Sequence, residues 1–251
     1  MLGDMPRSNI FARGVFVVTT ALVLVACSGP AGPTPPPNPI LRPGPTPAKS
    51  VDPEAKYAVA MIAMFASDPL VLHAVETVKV TASSDTDSVK MTASSTMDLS
   101  GDDMKMHSVA KLAGKTTKLD VVVVGRSVYS RVGSAPWSKE PRSGWQQTLD
   151  DLVRDLNPAR NPSQLRYVGV ETIDKQKLRH LTAVQKFPYV MADGQRGTYE
   201  KFDVWVKEDG TPVLAKGKIS VIGAYGIEVK GTSELRFSKF GGTIRITAPK
   251  N

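Results

Sequence analysis

A two-residue alternation of apolar and polar side chains runs through most of the chain from residue 75 to residue 248, and it restricts the choice of fold. Successive side chains of a β-strand point to opposite faces of a sheet, so the alternation predicts strands with one covered face and one wet face. Clusters of Ser, Asp and Gly separate the runs and predict turns between consecutive strands. The runs are VETVKVTASS, VKMTASSTMDLS, DDMKMHSVAKL, KLDVVVVGRSVYSRV, LRYVGVETI, KLRHLTAVQKF, TYEKFDVWVKEDG, PVLAKGKISVI, YGIEVKGTSELRF and GTIRITA.

Two other segments have helical spacing. Asp52-Pro53-Glu54 is typical of a helix start, and the following AKYAVAMIAMFA is apolar nearly all round, which predicts a helix buried on most sides. A second helix is predicted in QQTLDDLVRDLNPARNP, where the apolar residues recur every three or four positions and Asn157-Pro158 ends the run. About ten or eleven strands in series, with one helix before them and one between two groups of them, predict an α+β domain with an antiparallel meander.

The chain contains one cysteine, Cys27, and its surroundings indicate an export signal. Arg7 and Arg13 precede an apolar run from Val15 to Ala26, which is too short to span a bilayer comfortably. The residues Leu24-Val25-Ala26-Cys27 resemble the lipobox of bacterial lipoproteins. That resemblance implies cleavage before Cys27, attachment of diacylglycerol to its sulfur, and anchoring on the extracytoplasmic side of the cell membrane. The alternative is a buried free cysteine in an N-terminal transmembrane helix.

These features divide the chain into a signal peptide at residues 1–26, a lipidated cysteine and proline-rich tether at 27–52, and one domain at 53–251. The tether has too few apolar residues to be ordered by burial, and its prolines favour an extended spacer. A proline-rich ligand for a partner domain is the alternative interpretation. Without a second cysteine, the exported domain has to be stabilised by its core alone.

The sequence provides little support for catalysis, and we expect a protein that is not an enzyme. The three histidines, His73, His107 and His180, have no second metal ligand at a suitable spacing, so neither a metal site nor a cofactor is expected. The paired acids Asp102-Asp103 and Asp150-Asp151 fall on a turn and on a helix, where adjacent side chains diverge. A hydrolase built from distant residues is the remaining enzymatic alternative.

The net charge of +8 is spread along the chain without a basic helix or a basic and aromatic stripe, so no nucleic-acid partner is expected. A basic surface suits either solubility or contact with anionic lipid headgroups.

Methionines alternate with small residues on the strand faces predicted to be covered. Met91, Met97, Met104 and Met106 are interleaved with Ala and Ser, and Met61 and Met64 lie on the first helix. Large and small side chains in alternation can leave a volume unfilled, and methionine suits variable apolar ligands. An ordinary core with methionine as gap-filler is the alternative. The candidate lining residues of a ligand cavity are Met61, Met64, Met91, Met97, Met104, Met106, Val122, Val124 and Trp205.

Two motifs resemble the LppX/LprG lipoprotein family and the broader group of LolA- and LolB-like carriers. They are VVVVGRSVYSRVGSAPWSK, with Gly125, Tyr129 and Trp137-Ser138-Lys139, and FDVWVKEDGTPVLAKGKIS, with Trp205, Asp209-Gly210 and Pro212-Val213. The resemblance covers most of residues 53–249. It implies a half-barrel, a curled antiparallel sheet with helices packed across its concave face. It also implies binding of acyl chains for transport between membranes, with no catalytic residues.

Two hypotheses follow for the function. The first is an extracytoplasmic lipoprotein, anchored through Cys27, that binds the acyl chains of a lipid or glycolipid and passes them to an envelope transporter or acceptor protein. The second is a sensor or scaffold lipoprotein with a filled cavity, which acts through a protein partner.

Overall fold

The structure is a computed structural model of the chain, and it describes residues 54–83, 88–146, 156, 159, 161–190, 196–222 and 228–250. The signal peptide, Cys27 and the tether lie outside these residues. So do Asp52, Pro53 and all of the predicted second helix except Gln146 and Leu156. In the part of the chain that the structure describes, no helix combines the length and apolar character needed to span a bilayer.

One helix, α1 (Ala55–Phe65), precedes an antiparallel sheet of twelve strands. The strands are β1 (Val71–Ser83), β2 (Ser88–Ser100), β3 (Asp103–Leu112), β4 (Lys115–Val124), β5 (Ser127–Val132), β6 (Ser138–Pro141), β7 (Leu165–Ile173), β8 (Gln176–Ala183), β9 (Phe187–Val190), β10 (Arg196–Val206), β11 (Pro212–Ile222) and β12 (Glu228–Ser238). Short 3-10 turns lie at Arg142–Gly144 and Pro162–Gln164. The alternating runs therefore predicted the strands well, apart from the short β6 and the separate β9.

The sheet consists of two meanders joined at its centre. Its order is β6-β5-β4-β3-β2-β1-β12-β11-β10-β8-β7, and β9 pairs with β10. We refer to β1–β6 as the first half and β7–β12 as the second half. The halves meet where β1 pairs with β12 over eleven positions, from His73 with Ser238 to Ser83 with Glu228. The strands β6 and β7, which are consecutive in the chain, lie at opposite edges, so the sheet is open and curled.

The predicted strand GTIRITA is wrong, since residues 242–248 form no strand. β12 already has β1 on one side and β11 on the other, so the chain that directly follows it cannot pair beside it. Lys239 and Gly241 adopt positive φ values of 55° and 66°, and the amide of Gly241 donates to the carbonyl of Val71. This turn ends β12 and holds the start of the C-terminal segment beside Val71 of β1.

Helix α1 is less buried than its composition predicted. Only Tyr57, Ala58 and Met61 are buried, which is a single stripe at positions i, i+1 and i+4, whereas Val59 is 49% exposed. The helix begins after Glu54 without a side-chain cap. It contacts β7 and the 3-10 turn at 162–164 near one edge of the sheet, and Phe65 at its other end contacts Phe237 of the central strand β12, so it packs over the second half of the sheet.

The main core lies on one face of the sheet, which we call the inner face. Leu72, Val121 and Val204 are almost fully buried there, together with the buried stripe of α1. Trp145, Leu156 and Ala159, from the connection between β6 and β7, belong to the same cluster. A smaller cluster of Leu178, Trp205 and Leu214 lies on the opposite, outer face.

Candidate functional site

Four of the predicted methionines lie together on the inner face of β2 and β3. Met97 is directly opposite Met106, Met104 is opposite Leu99, and Met91 is opposite Leu112. Residues that face each other across antiparallel strands point to the same side of the sheet. All four methionines are buried and belong to the main core cluster. The sequence therefore predicted their shared face correctly.

Two rows of small side chains lie between these methionines. Ala93 is opposite Ala110, and Ser95 is opposite Ser108. We call these four residues the trough. Met91 and Met97 flank it and are six positions apart on β2, so their backbones are separated by about 20 Å. Between these two methionines, the inner face of β2 and β3 has no side chain larger than serine.

The trough contains one polar row. The Ser95 and Ser108 hydroxyls are hydrogen-bonded at 2.7 Å, and both side chains are buried. Glu76 on β1 is directly opposite Ser95 and is half-buried on the same face. A carboxylate beside a buried pair of hydroxyls gives an otherwise apolar face a short polar segment. We did not anticipate Glu76 from the sequence, although it shares its parity with the buried Val78 and Val80.

Several other predicted lining residues lie elsewhere. Val122 and Val124 point to the outer face, because Val121 and Val123 are the residues opposite Met106 and Met104. Trp205 is also on the outer face, in contact with Leu178 and Leu214. These three positions therefore do not share a cavity with the methionines. An unbroken run of four valines has no alternation from which a face can be assigned.

The two methionines of α1 differ in their environments. Met61 is almost completely buried in the main core. Met64 is half-exposed and lies outside the set of side chains packed against that core. Met61 thus belongs to the buried stripe of the helix, whereas Met64, one turn further along the helix, is not buried.

Helix α1 is held at both ends. Near its start, the Tyr57 hydroxyl donates to Glu208 Oε1 at 3.0 Å and accepts from Arg179 Nε at 3.2 Å, and Arg179 also pairs with Glu208. Near its end, the Phe65 ring contacts the rings of Phe237 and Phe240, each at 5.5 Å between centroids.

The turn between β10 and β11 also fixes α1. Gly210 has φ of +85°, and a Cβ at this position would lie 2.4 Å from the Cβ of Ala60. Only glycine allows both that backbone conformation and that approach. The sequence motif containing Asp209-Gly210 therefore marks the contact between this turn and the helix.

The inner face of the second half is rich in aromatic residues. Phe202 lies edge-on to Phe187 and Tyr199, with centroid distances of 5.9 and 6.0 Å. Tyr167 stacks on Tyr57 of α1 at 5.6 Å. Such pairs contribute about 0.5–1.5 kcal/mol each beyond their area of burial.

A polar network lies on the outer face of the second half. His180 stacks on Trp205 at 4.5 Å, and its ring nitrogens contact Glu171 at 2.7 Å and Asp203 at 3.1 Å. Trp205 Nε1 donates to Glu171 at 2.9 Å. Both ring nitrogens of His180 are thus engaged by carboxylates, which leaves neither nitrogen available as a base for a substrate.

Hydrogen bonds lower the pKa of both carboxyls in this network. Burial alone would raise the pKa of Asp203, but hydrogen bonds from Lys201, Thr182 and His180 outweigh it and hold the pKa below its ordinary value. For Glu171, the hydrogen bond from Trp205 is the main cause of the lowered pKa. Both groups are therefore carboxylates at neutral pH.

The other candidate polar residues are dispersed. His73 pairs with Asp98, and His107 pairs with Asp120, which also binds Arg131. The side chain of Asp102 is 94% exposed, while Asp150 and Asp151 lie outside the described residues. No group of three or more His, Cys, Asp or Glu side chains in the described ranges is arranged to hold a metal ion.

Comparison with known proteins places the chain in no family. No family model matches it, and no curated protein does. Similar solved structures include a DUF1329 family protein from Desulfovibrio piger, with a TM-score of 0.28 and 13% identity over 78% of this chain and 96% of that one. A LolA superfamily protein from Nitrosomonas europaea has a TM-score of 0.24 and 11% identity, covering 75% and 93% of the two chains.

A third similar structure, a domain from Vibrio parahaemolyticus described as an outer membrane lipoprotein-sorting protein, also has a TM-score of 0.24. It is 10% identical over 76% of this chain and 93% of that one. LolA-like folds are thus among the structural neighbours of this chain, and nothing in them points to LppX or LprG in particular. With TM-scores of 0.28 or less, these similarities carry no functional conclusion.

Proposed function

We propose that this protein is an extracytoplasmic lipoprotein, anchored in the membrane through Cys27, that binds the acyl chains of a lipid or glycolipid against the inner face of the first half of the sheet. It would carry its ligand across the cell envelope to a transporter or acceptor protein. The proposal includes no catalytic step. The observation that carries it is the trough between the methionines of β2 and β3.

The trough suits an acyl chain because the methionines that flank it are adaptable and its own side chains are small. Methionine is unbranched and flexible, and it accommodates apolar partners of different shapes. Each CH₂ group buried against such a surface contributes about 0.8 kcal/mol. An acyl chain could therefore be held without a specific shape of pocket.

The polar row supports a ligand that also has a polar part. Ser95 and Ser108 already bond to each other, and Glu76 lies next in the same row. Hydroxyls can donate to an ester carbonyl, and a carboxylate can accept from a hydroxyl of a sugar or glycerol. We propose that this row orients the linkage between the acyl chains and the headgroup.

The second candidate function is the scaffold or sensor with a filled interior. The burial of Met91, Met97, Met104 and Met106 favours it, because each of them is 5% exposed or less. In that case the methionines fill gaps in an ordinary core, and the protein acts through a protein partner.

Native mass spectrometry separates the two functions. The full chain is extracted from its membrane in mild non-ionic detergent and transferred intact. A carrier is expected to retain an added mass of one lipid, which collisional activation releases as an identifiable molecule. If the chain has only the mass of the protein and its own anchor, the interior is filled and the carrier function is rejected.

The anchor is tested separately, by metabolic labelling with a palmitate analogue. We expect the parent chain to be labelled and Cys27→Ser to lose the label, because Cys27 is the single cysteine of the sequence. If Cys27→Ser is labelled as strongly as the parent, the protein is not anchored through this residue.

A further inference from the structure

The outer face of the sheet contains a cavity that is lined mainly by charged and hydroxyl-bearing residues and that the acyl-binding function does not use. It has a volume of about 480 Å³ and lies over β1, β12, β11 and β10. Its charged lining residues are Lys79, Lys201, Lys216, Lys218, Asp203 and Glu234. Four ammonium groups against two carboxylates leave two excess positive charges. We call this cavity the lysine pocket.

Both carboxylates of the lysine pocket lie in one row across the sheet, and each is paired with a lysine of the pocket. Thr77, Glu234, Lys216 and Asp203 follow one another in register across the four strands. Lys216 Nζ lies 3.4 Å from Glu234, and Lys201 Nζ lies 2.9 Å from Asp203. These pairs account for both carboxylates of the pocket.

The adjacent row contains the uncompensated charge, on Lys79 and Lys218. It consists of Lys79, Thr232, Lys218 and Lys201, again in register across the same strands. Within the described part of the chain, neither Lys79 nor Lys218 forms a salt bridge. Lys218 is directly opposite Lys201, and like charges directly opposite each other on neighbouring strands are destabilising. A bound anion between these ammonium groups would remove that repulsion.

The side chain of Asp203, which lines the lysine pocket, is held in place by hydrogen bonds from the neighbouring polar network. The Asp203 carboxylate accepts from Thr182 at 2.7 Å and contacts His180 at 3.1 Å, and its side chain is 9% exposed. Asp203 therefore holds the Lys201 ammonium at a defined place in the lysine pocket. A positioned ammonium loses less freedom when it binds a ligand.

We propose that the lysine pocket binds a phosphate-bearing anion of the size of a sugar phosphate or a phospholipid headgroup. Lysine ammonium groups bind phosphate as point charges, and Thr77 and Thr232 place hydroxyl donors in the same cavity. The volume is within the range of small-molecule sites. This site is separate from the trough, because the two lie on opposite faces of the sheet.

Calorimetric titration of the full chain with inorganic pyrophosphate, in non-ionic detergent at low ionic strength, tests the site. The parent is expected to bind with a measurable heat. Lys79→Gln and Lys218→Gln are each expected to weaken the Kd about fivefold, and the double variant is expected to lose the heat. These side chains are exposed, so the midpoint of thermal unfolding without ligand should be unchanged or slightly higher.

Lys118→Gln is the matched control. Lys118 is exposed on β4, on the same outer face, and its removal changes the net charge equally, but it lies outside the lysine pocket. It is expected to leave the Kd within about twofold of the parent. Absence of heat with the parent, or an equal loss with Lys118→Gln, would overturn the proposal, because binding would then be absent or would reflect net charge alone.

Competition against pyrophosphate distinguishes the two sources of phosphate. If the natural ligand is a lipid headgroup, dihexanoyl phosphatidylglycerol should compete and dihexanoyl phosphatidylcholine should not. If it is a soluble phosphate ester, glycerol 3-phosphate should compete and neither short-chain lipid should. Either result supports the site and names its ligand class.

Discussion

The two halves of the sheet cover their inner faces with different kinds of side chain. Around β2 and β3 the face consists of methionine, alanine and serine, whereas around β8, β9 and β10 it contains Phe187, Tyr199 and Phe202. Aromatic rings in edge contacts have defined geometry, and methionines do not. The second half is also the half to which α1 is fixed. A rigid half beside an adaptable half is an arrangement suited to binding variable apolar ligands at a fixed place.

The outer faces of the two halves also differ, in how deeply their polar networks are buried. In the first half, His107 pairs with Asp120 on an exposed surface. In the second half, His180 and Asp203 are both buried and are joined to Glu171 and Trp205. Buried networks cost more to disrupt than exposed pairs. We therefore expect the second half to carry more of the stability of the domain, and the following substitutions measure that difference.

The largest effect is expected from truncating an aromatic side chain. Phe202→Ala should lower the free energy of unfolding by about 4 kcal/mol, because it leaves a cavity between rings that cannot rearrange. Met97→Ala should cost only about 2 kcal/mol, since Met106 can move into the space. Urea unfolding monitored by circular dichroism measures both. Equal costs would mean that the two halves are equally rigid.

Gly210→Ala tests how firmly α1 is held. The new Cβ would meet Ala60 at 2.4 Å on a backbone with φ of +85°, so we expect a loss of about 3 kcal/mol. Gly114→Ala is the control, because Gly114 has φ of +78° with nothing within 4 Å of the new Cβ. Its cost should be about 1 kcal/mol, for the backbone alone. The same urea unfolding experiment compares them, and a Gly210→Ala variant that is no less stable than the control would mean that α1 can move away.

The third comparison concerns pH. The pKa of Asp203 is lower in the folded protein than its ordinary value of 3.8, so its ionised form stabilises the fold above that pH. This contribution is lost as the pH falls through the folded pKa. Asp203→Asn should lower the free energy of unfolding by about 2 kcal/mol at pH 7. The difference in this free energy between the variant and the parent should shrink below pH 3.8.

Asp120→Asn provides the corresponding measurement in the first half. The pKa of Asp120 is also lowered, because hydrogen bonds from His107 and Arg131 outweigh the effect of burial. Because the network around Asp120 is more exposed, Asp120→Asn should lower the free energy of unfolding by about 1 kcal/mol or less at pH 7. A larger loss for Asp120→Asn than for Asp203→Asn would contradict the assignment of greater stability to the second half.

The alternation of the sequence predicted most of this fold because strand faces depend on local parity. The run PVLAKGKISVI has the same bounds as β11, and the methionines of β2 and β3 occupy the face that their parity predicts. The pairing of β1 with β12 could not be predicted, since its partners, from Ser83 with Glu228 to His73 with Ser238, are far apart in the sequence and no local pattern encodes the partner. The C-terminal strand failed for the same reason: its alternation is correct, but β12, which it follows, already has a partner strand on each side.

The candidate site was predicted in part. Alternation along the strand was sufficient to place Trp205 on the other face of the sheet from Phe202 and Val204. It was also sufficient to place Glu76 on the same face as Val78, so the faces of Trp205 and Glu76 could have been assigned from the sequence. The faces of Val122 and Val124 could not, because valines on both sides remove the signal. The lysine pocket needed the register of four strands, in which Lys201 and Lys218 become neighbours only after folding.

The central claim, that the trough holds a ligand, is tested most directly by filling it. Ala93→Leu adds apolar volume in the trough, and Ala215→Leu makes the same change on the inner face of β11 in the second half. Thermal unfolding and native mass spectrometry are measured on both full chains. We predict that Ala93→Leu loses its lipid while the stability of the lipid-free protein changes by less than about 1 kcal/mol, whereas Ala215→Leu retains lipid and loses about 2 kcal/mol. If Ala93→Leu is destabilised as much as Ala215→Leu, or retains its lipid, the trough is ordinary core and the claim is contradicted.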